Sequence, residues 1–354
     1  MNDLALTTQA PERASITARE ILALVARRTA AYDFTVWFWG DAIAIDGLLE
    51  ASDLLGERQY LDFCLGFFQR WSRRALDWAD HLTPGGALLR LHQATGDRSL
   101  LEAAERLADW LLTTAPRAPA TGFPLYRPDL PPYRYTVWVD TIYHEPPFLT
   151  ALAAIRGDVR YHEAALEVWN SHVQALSSDR GPFLAHAFDT GAGLLRGYGW
   201  GRGNGWALLG MVDTLGILSE DHPRRPRALE GFLQLSASIL RAQDKSGFWR
   251  TLLHDRESYL ESSTAAFFGA AFTKGVRLGL LGKEYAAASE RAWTAVVDRI
   301  DTQGNFYGVS ACTYAAVAPG DDISMYRTLP TEVNVWGQGS ALRFAAERVR
   351  LGLV

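Results

Sequence analysis

Two segments bring together side chains able to do chemistry. In Thr136-Val137-Trp138-Val139-Asp140-Thr141-Ile142-Tyr143 a carboxyl group lies between aromatics at the start of a periodic stretch. Apolar walls at Trp138 and Tyr143 would raise the pKa of Asp140 towards a value suited to giving and then taking a proton, whereas a helix amino terminus would lower it. An Asp there is also a good helix cap, and the residues alone leave both roles open. In Trp200-Gly201-Arg202-Gly203-Asn204-Gly205-Trp206 the glycines let a ligand approach the backbone, the two indoles offer flat faces and Arg202 offers a planar fork of donors. The same stretch also reads as a helix start packed by two core tryptophans. It is not a phosphate-binding loop, because the closing Lys-Ser/Thr is missing.

Aromatic residues are plentiful, with 12 Trp, 13 Tyr and 16 Phe, many beside Gly, Pro or Asp rather than inside apolar stripes. Such faces in a cleft suit sugar rings, whose C–H surfaces stack while their hydroxyls take polar partners; a Trp-rich core is the other reading.

What must position these groups is a helical repeat. A Gly, a polar residue or two and an aromatic or Leu recur at Gly56-Glu57-Arg58-Gln59-Tyr60, Gly96-Asp97-Arg98-Ser99-Leu100, Gly157-Asp158-Val159-Arg160-Tyr161 and, shortened, Gly282-Lys283-Glu284-Tyr285. Each Gly sits where a left-handed helix end belongs, and apolar residues then recur every three or four positions, as in Leu101, Ala104, Leu107 and Leu111. Asp221-His222-Pro223 is a weaker copy. Periodicity predicts about twelve helices, over 17–31, 40–55, 58–74, 84–95, 98–114, 139–156, 160–177, 203–219, 225–243, 262–280, 284–301 and 336–351. Thr17 with Glu20 forms a capping box at the first. Six hairpins of this length close into a double ring, an all-α (α/α)6 barrel. The connections 116–135, 181–203, 243–262 and 304–331 are long and aromatic, and gathered at one end of the ring they would carry the site.

Composition removes several function classes. A net charge of -5 with no block of Lys or Arg gives no footprint for nucleic acid or an anionic membrane. Residues 1–15 are polar, expected to be disordered or extended ahead of one catalytic domain over 16–354; they lack a secretory signal, and no apolar run spans a bilayer, so the expected location is cytoplasmic. Cys64 and Cys312 stand far apart with no neighbouring His cluster. They read as buried apolar residues, and neither a disulfide framework, a metal nor a cofactor is expected. A monomer and a homodimer are both open.

Trp138 to Tyr143 ahead of Pro147-Phe148-Leu149, followed by Trp200 to Trp206, resembles the unsaturated uronyl hydrolases of glycoside hydrolase family 105 and the related family 88. His186-Ala187-Phe188-Asp189, Tyr259-Leu260-Glu261-Ser262-Ser263 and Gly337-Gln338-Gly339 extend the likeness over most of the chain. The resemblance implies an (α/α)6 barrel, in agreement with the hairpin count. It implies a reaction on lyase-generated oligosaccharides, hydration of the C4=C5 double bond of a terminal unsaturated uronic acid. Asp140 is then similar to the residue that protonates C4 and, as carboxylate, helps water attack C5. Asp80, in Trp78-Ala79-Asp80-His81, is similar to the family's second catalytic acid, and His186 to its water-orienting histidine. Trp200, Arg202 and Trp206 are similar to the family's substrate contacts; Trp39, Asp41, Trp138, Tyr143 and His144, in or beside candidate pocket segments, are the further substrate-binding residues expected. The chain departs from the pattern at His144, where many members carry Met or another apolar residue, and at Asp41, which the family does not require. Other readings are an inverting glycosidase using Asp80 and Asp140 as base and acid about 6.5–9.5 Å apart, and a non-catalytic sugar-binding barrel. An epimerase ranks below them, since it would want more pocket histidines.

Overall fold

Three of the four glycine turns end one helix left-handed and hand over to a polar cap. In this computed structural model, which describes residues 16–32, 34, 39–73, 75–76, 85–118, 131–315, 320–321 and 323–353, Gly56, Gly96 and Gly157 take φ of 74°, 73° and 67°. Asp97 and Asp158 then accept the backbone N–H of Ser99 and Arg160, each capping the helix that follows. Gly282 corrects the pattern. It is extended, with φ of -87°, and precedes a helix, while the left-handed position falls three residues earlier at Gly279 because the preceding helix stops sooner.

Among the described residues the helices are α1 (Ala18–Ala30), α2 (Asp41–Leu55), α3 (Arg58–Trp71), α4 (Gly85–Thr95), α5 (Arg98–Thr113), α6 (Thr141–Arg156), α7 (Val159–Leu176), α8 (Gly201–Ile217), α9 (Arg225–Arg241), α10 (Ser262–Arg277), α11 (Lys283–Val297), α12 (Ser324–Thr328) and α13 (Val335–Arg350). The capping box at Thr17 and Glu20 is formed. Helices α2, α4, α6, α8, α10 and α13 touch in that order, and α13 closes back onto α2. Around this inner ring α3, α5, α7, α9 and α11 each lie against the inner helix nearest in sequence, and α1 bridges α13 and α2. The expected all-α double ring of six pairs is therefore present; among the described residues α12 is an additional short helix, inside the loop predicted over 304–331.

Inner and outer helices differ as their surroundings require. Outer α5 buries one stripe, Leu100, Ala103, Ala104, Leu107, Ala108 and Leu111, whereas every residue of α8 from Gly201 to Leu215 is buried. Close inner packing needs small residues. A side chain at Gly210 would collide with the Ile142 carbonyl and the Tyr143 backbone, so α8 rests directly on the first turn of α6. That carbonyl is available because Pro146, four residues on, has no N–H to donate to it.

Charged residues occupy part of the barrel axis. The Arg343 guanidinium donates to the Tyr143 hydroxyl at 2.8 Å and to both carboxylate oxygens of Asp213, and its Nε lies 3.2 Å from Glu50. Lys274 reaches Asp213 from the other side, and the Tyr143 hydroxyl donates to Asp46. Together these groups line a cavity of about 350 Å³, which Ala154, Ile155 and Ile217 border at the carboxyl ends of α6 and α8.

The opposite end carries the long connections. Strands β1 (Thr136–Trp138), β2 (Ala187–Asp189) and β3 (Leu194–Arg196) form one antiparallel sheet; β4 (Trp249–Arg250) pairs with β5 (Leu260–Glu261), and β6 (Val309–Ser310) with β7 (Thr331–Glu332). These segments lead into α6, α8, α10 and α13, so all gather at the amino ends of inner helices. They share a small core of their own, in which Trp138, Ala187, Trp200, Leu252, Ala315, Met325, Tyr326 and Leu329 pack together. No described helix is long and apolar enough to cross a membrane. Cys64 is buried as expected, but Cys312 is exposed in the loop after β6.

Candidate active site

The three-stranded sheet sets the two central groups side by side. Trp138 pairs with Ala187 across β1 and β2, and the Val139 N–H donates to the His186 carbonyl at 3.0 Å, so Asp140 and His186 leave adjacent strands together. Asp140 stands at the start of α6, but its side chain makes no capping hydrogen bond. The capping role that the residues left open is not the one adopted. Asp140 is 6 % exposed, and Oδ2 has no hydrogen-bond partner among the described residues. Burial, opposed by its own backbone N–H and by the charge of Arg202, pushes the pKa of Asp140 up to about 7.

His186 faces it, with Nε2 3.9 Å from Asp140 Oδ2. The imidazole is held between Trp200, at 3.9 Å between ring centres, and the edge of Trp138, at 4.8 Å. Burial first, and the nearby Arg202 charge second, hold its pKa well below the ordinary histidine value, so the ring is neutral. Its Nδ1 lies 2.7 Å from the Tyr326 hydroxyl. Asn204 steadies the approach to His186: its amide exchanges two hydrogen bonds with the backbone of Leu184, at 2.9 and 3.0 Å.

Arg202 lies behind Trp200, its guanidinium 4.8 Å from that ring and 5.4 Å from Trp336. It is 1 % exposed and donates to the carbonyls of Ser310 and Ala311 at 2.9 and 3.0 Å. Glu261, 3.8 Å away, caps α10 through the Thr264 N–H and accepts from the Ser310 N–H. Arg202 therefore ties the loop after β6 to α8 and supplies positive potential near Asp140 from beneath the surface.

The remaining expected contacts divide in two. Trp138 and Trp200 belong to the wall around Asp140 and His186. Trp206 is fully buried, packed by Trp39, Tyr143, His144 and Phe267. Tyr143 and His144, three and four residues into α6, border the axial cavity. Trp39 stacks on Trp336 at 5.2 Å, and Asp41 is buried in the first turn of α2. Asp80 lies outside the described residues. Tyr326, Asn204 and Glu261 were not singled out as site residues; only the Tyr259 to Ser263 and Trp200 to Trp206 phrases contained two of them. Among the described residues no three His, Cys, Asp or Glu side chains form a metal-binding group.

A buried carboxyl with a neutral pKa beside a neutral imidazole, at the loop-bearing end of a helical ring, is equipped to move a proton to and from one bound reactant. The family model described as Glycosyl Hydrolase Family 88 matches residues 20–352. The unsaturated rhamnogalacturonyl hydrolase YesR of Bacillus subtilis (strain 168) is 31% identical over 337 residues, which cover 91% of this chain and 92% of that protein. Among solved structures, a possible member of the GH105 family from Klebsiella pneumoniae superposes with a TM-score of 0.85 at 23% identity, covering 98% of this chain and 96% of its own. The unsaturated glucuronyl hydrolase of Bacillus sp. GL1 does so with a TM-score of 0.70 at 17% identity, over 94% and 96%.

Proposed function

The chain belongs to glycosyl hydrolase family 88 and is a glycoside hydrolase, and from that premise we propose that it removes a terminal 4,5-unsaturated uronic acid from oligosaccharides left by polysaccharide lyases, with Asp140 as the acid and base. The observation that carries the role of Asp140 is its desolvated carboxyl, free at Oδ2 and with a pKa of about 7. Protonated, it gives its proton to C4 of the enol ether while positive charge gathers at C5. Ionised, it takes a proton from the water that adds to C5. The C5 hemiketal so formed opens to a ketone, and the exposed C1 hemiacetal releases the rest of the oligosaccharide. A single carboxyl must serve as donor and then acceptor, which a pKa near neutrality suits best. His186, 3.9 Å from that carboxyl, is the group we assign to the water, and Trp138 and Trp200 wall off solvent.

The experiment is direct: lyase-generated unsaturated disaccharides lose the ultraviolet absorbance of their C4=C5 bond when the purified protein is added. A panel that varies the sugar next to the unsaturated residue defines which oligosaccharide is preferred. Cleavage of saturated glycosides with the double-bond substrates left untouched would defeat the proposal. A cytoplasmic location belongs to the same proposal, and two unpaired cysteines suit a reducing compartment.

The pH profile follows from the sign of the Asp140 shift. The free enzyme must carry the proton, so kcat/KM should be level below about pH 7 and fall tenfold per unit above it. A profile rising through neutrality instead would mean that the ionised form starts the reaction.

A further inference from the structure

We propose that Tyr326 is a positioning residue for hydrolysis: its hydroxyl donates to Nδ1 of His186 and so fixes the imidazole as the tautomer that presents an N–H from Nε2 to the water beside Asp140. This rests on the reading of Asp140 given above.

Tyr326 lies on α12, 140 positions along the chain from His186, and is 1 % exposed. Its hydroxyl packs onto Gly197, where any side chain would collide with it. The loop is pinned at that point, since the Gly197 N–H donates to Asp321 at 2.7 Å and Arg196 donates to the Gly320 carbonyl. Both rings are neutral. Burial raises the Tyr326 pKa well above that of an ordinary phenol, with Asp321 and Asp140 adding to it, and burial lowers that of His186.

Only two arrangements of the 2.7 Å hydrogen bond are then available. If His186 carried its hydrogen on Nδ1, the phenol hydrogen would be left buried without an acceptor, which is costly. The Nε2 lone pair would also point at Asp140 just when that carboxylate becomes negative. With the phenol as donor both faults vanish: Nδ1 accepts, and Nε2–H faces Oδ2 across 3.9 Å. That gap is too long for a direct bond, but a water making bonds of about 2.8 Å to both fits at its apex. It accepts from His186 and donates to Asp140, which turns its remaining lone pair outwards towards C5. His186 is in this way barred from being the base, leaving that role to Asp140.

The test reads the tautomer itself. Nitrogen-15 spectra of the ligand-free protein, with His186 assigned by its loss in His186→Gln, should show protonated Nε2 and unprotonated Nδ1. In Tyr326→Phe the single tautomer should give way to a mixture. The same variant should lose about tenfold in kcat, the worth of one hydrogen bond, with KM unchanged. A wild-type spectrum with the hydrogen on Nδ1 overturns the proposal, as does a Tyr326→Phe protein that keeps both tautomer and kcat. The wild-type spectrum needs no substrate, so the tautomer can be judged even if the assignment of Asp140 is lost.

Discussion

Asp140→Asn should lower kcat on unsaturated disaccharides by about 10³-fold or more while leaving the protein folded and at least as stable as before. Both expectations come from one carboxyl. Asn is nearly isosteric with Asp and caps helices equally well, so a residue that merely capped α6 would tolerate the change in both activity and stability. The Asp140 side chain makes no such cap, and its Oδ2 is buried without a partner. The folded pKa is raised from 3.8 to about 7, so the native state resists ionisation. Above an unfolded pKa of about 3.9 the wild type therefore carries a penalty that grows up to about pH 7 and then levels off, whereas Asn carries none. Urea unfolding at pH 5 and pH 8 should show Asp140→Asn gaining on the wild type at the higher pH, by up to a few kcal/mol. A variant that is inactive and less stable would return the residue to a structural role.

The same residue shows where sequence reasoning stops. That Asp140 sits between aromatics at a helix start is plain from residue order, but function and capping require the same residue at the same place, and only the missing cap bond separates them. The hairpin count was legible because its signals are local: a left-handed Gly followed by Asp97 or Asp158, then an apolar stripe on an exposed outer helix. Inner helices blur the picture. With every side of α8 buried from Gly201 to Leu215 there is no polar face to mark its phase, and the helix begins at Gly201, two residues before its periodicity predicts. Trp206 and Arg202 are both buried: an indole and a guanidinium suit sugars, and the same groups suit a core with a carbonyl or two to satisfy. Tyr326 carries no local signal at all; a five-residue helix in a long loop reaches His186 through tertiary folding alone.

Arg343→Met should cost about 3–5 kcal/mol of stability, because it strips the shared cation from several buried acids at once. Arg343 holds Asp213 through two hydrogen bonds, lies 3.2 Å from Glu50 and 3.9 Å from Asp46, and donates to the Tyr143 hydroxyl. Met fills similar volume, so the loss reports uncompensated charge more than a cavity. Lys274 still meets Asp213, and Arg90 and Arg350 still approach Glu50, which keeps the cost finite. Adding Asp213→Asn should recover part of the loss, and the sum of the single changes should exceed the double by 1 kcal/mol or more, on the order expected of coupled neighbours. The acid limb gives an independent check. The pKa of Asp213 is held down at about 2; burial alone would raise it, and the charges of Arg343 and Lys274 more than offset that. Its contribution to stability is thus complete above its unfolded value of about 3.9 and fades as the pH falls towards 2. In Arg343→Met that fading should be much shallower in urea titrations between those limits. Because α6 carries Tyr143 three residues after Asp140, the variant also tests whether the axial charges serve the site or only the barrel. If kcat per folded molecule at low temperature stays within a few-fold of wild type, Arg343 holds the ring together and the placement of Asp140 rests on the β1–β2 sheet and on α8 beneath it.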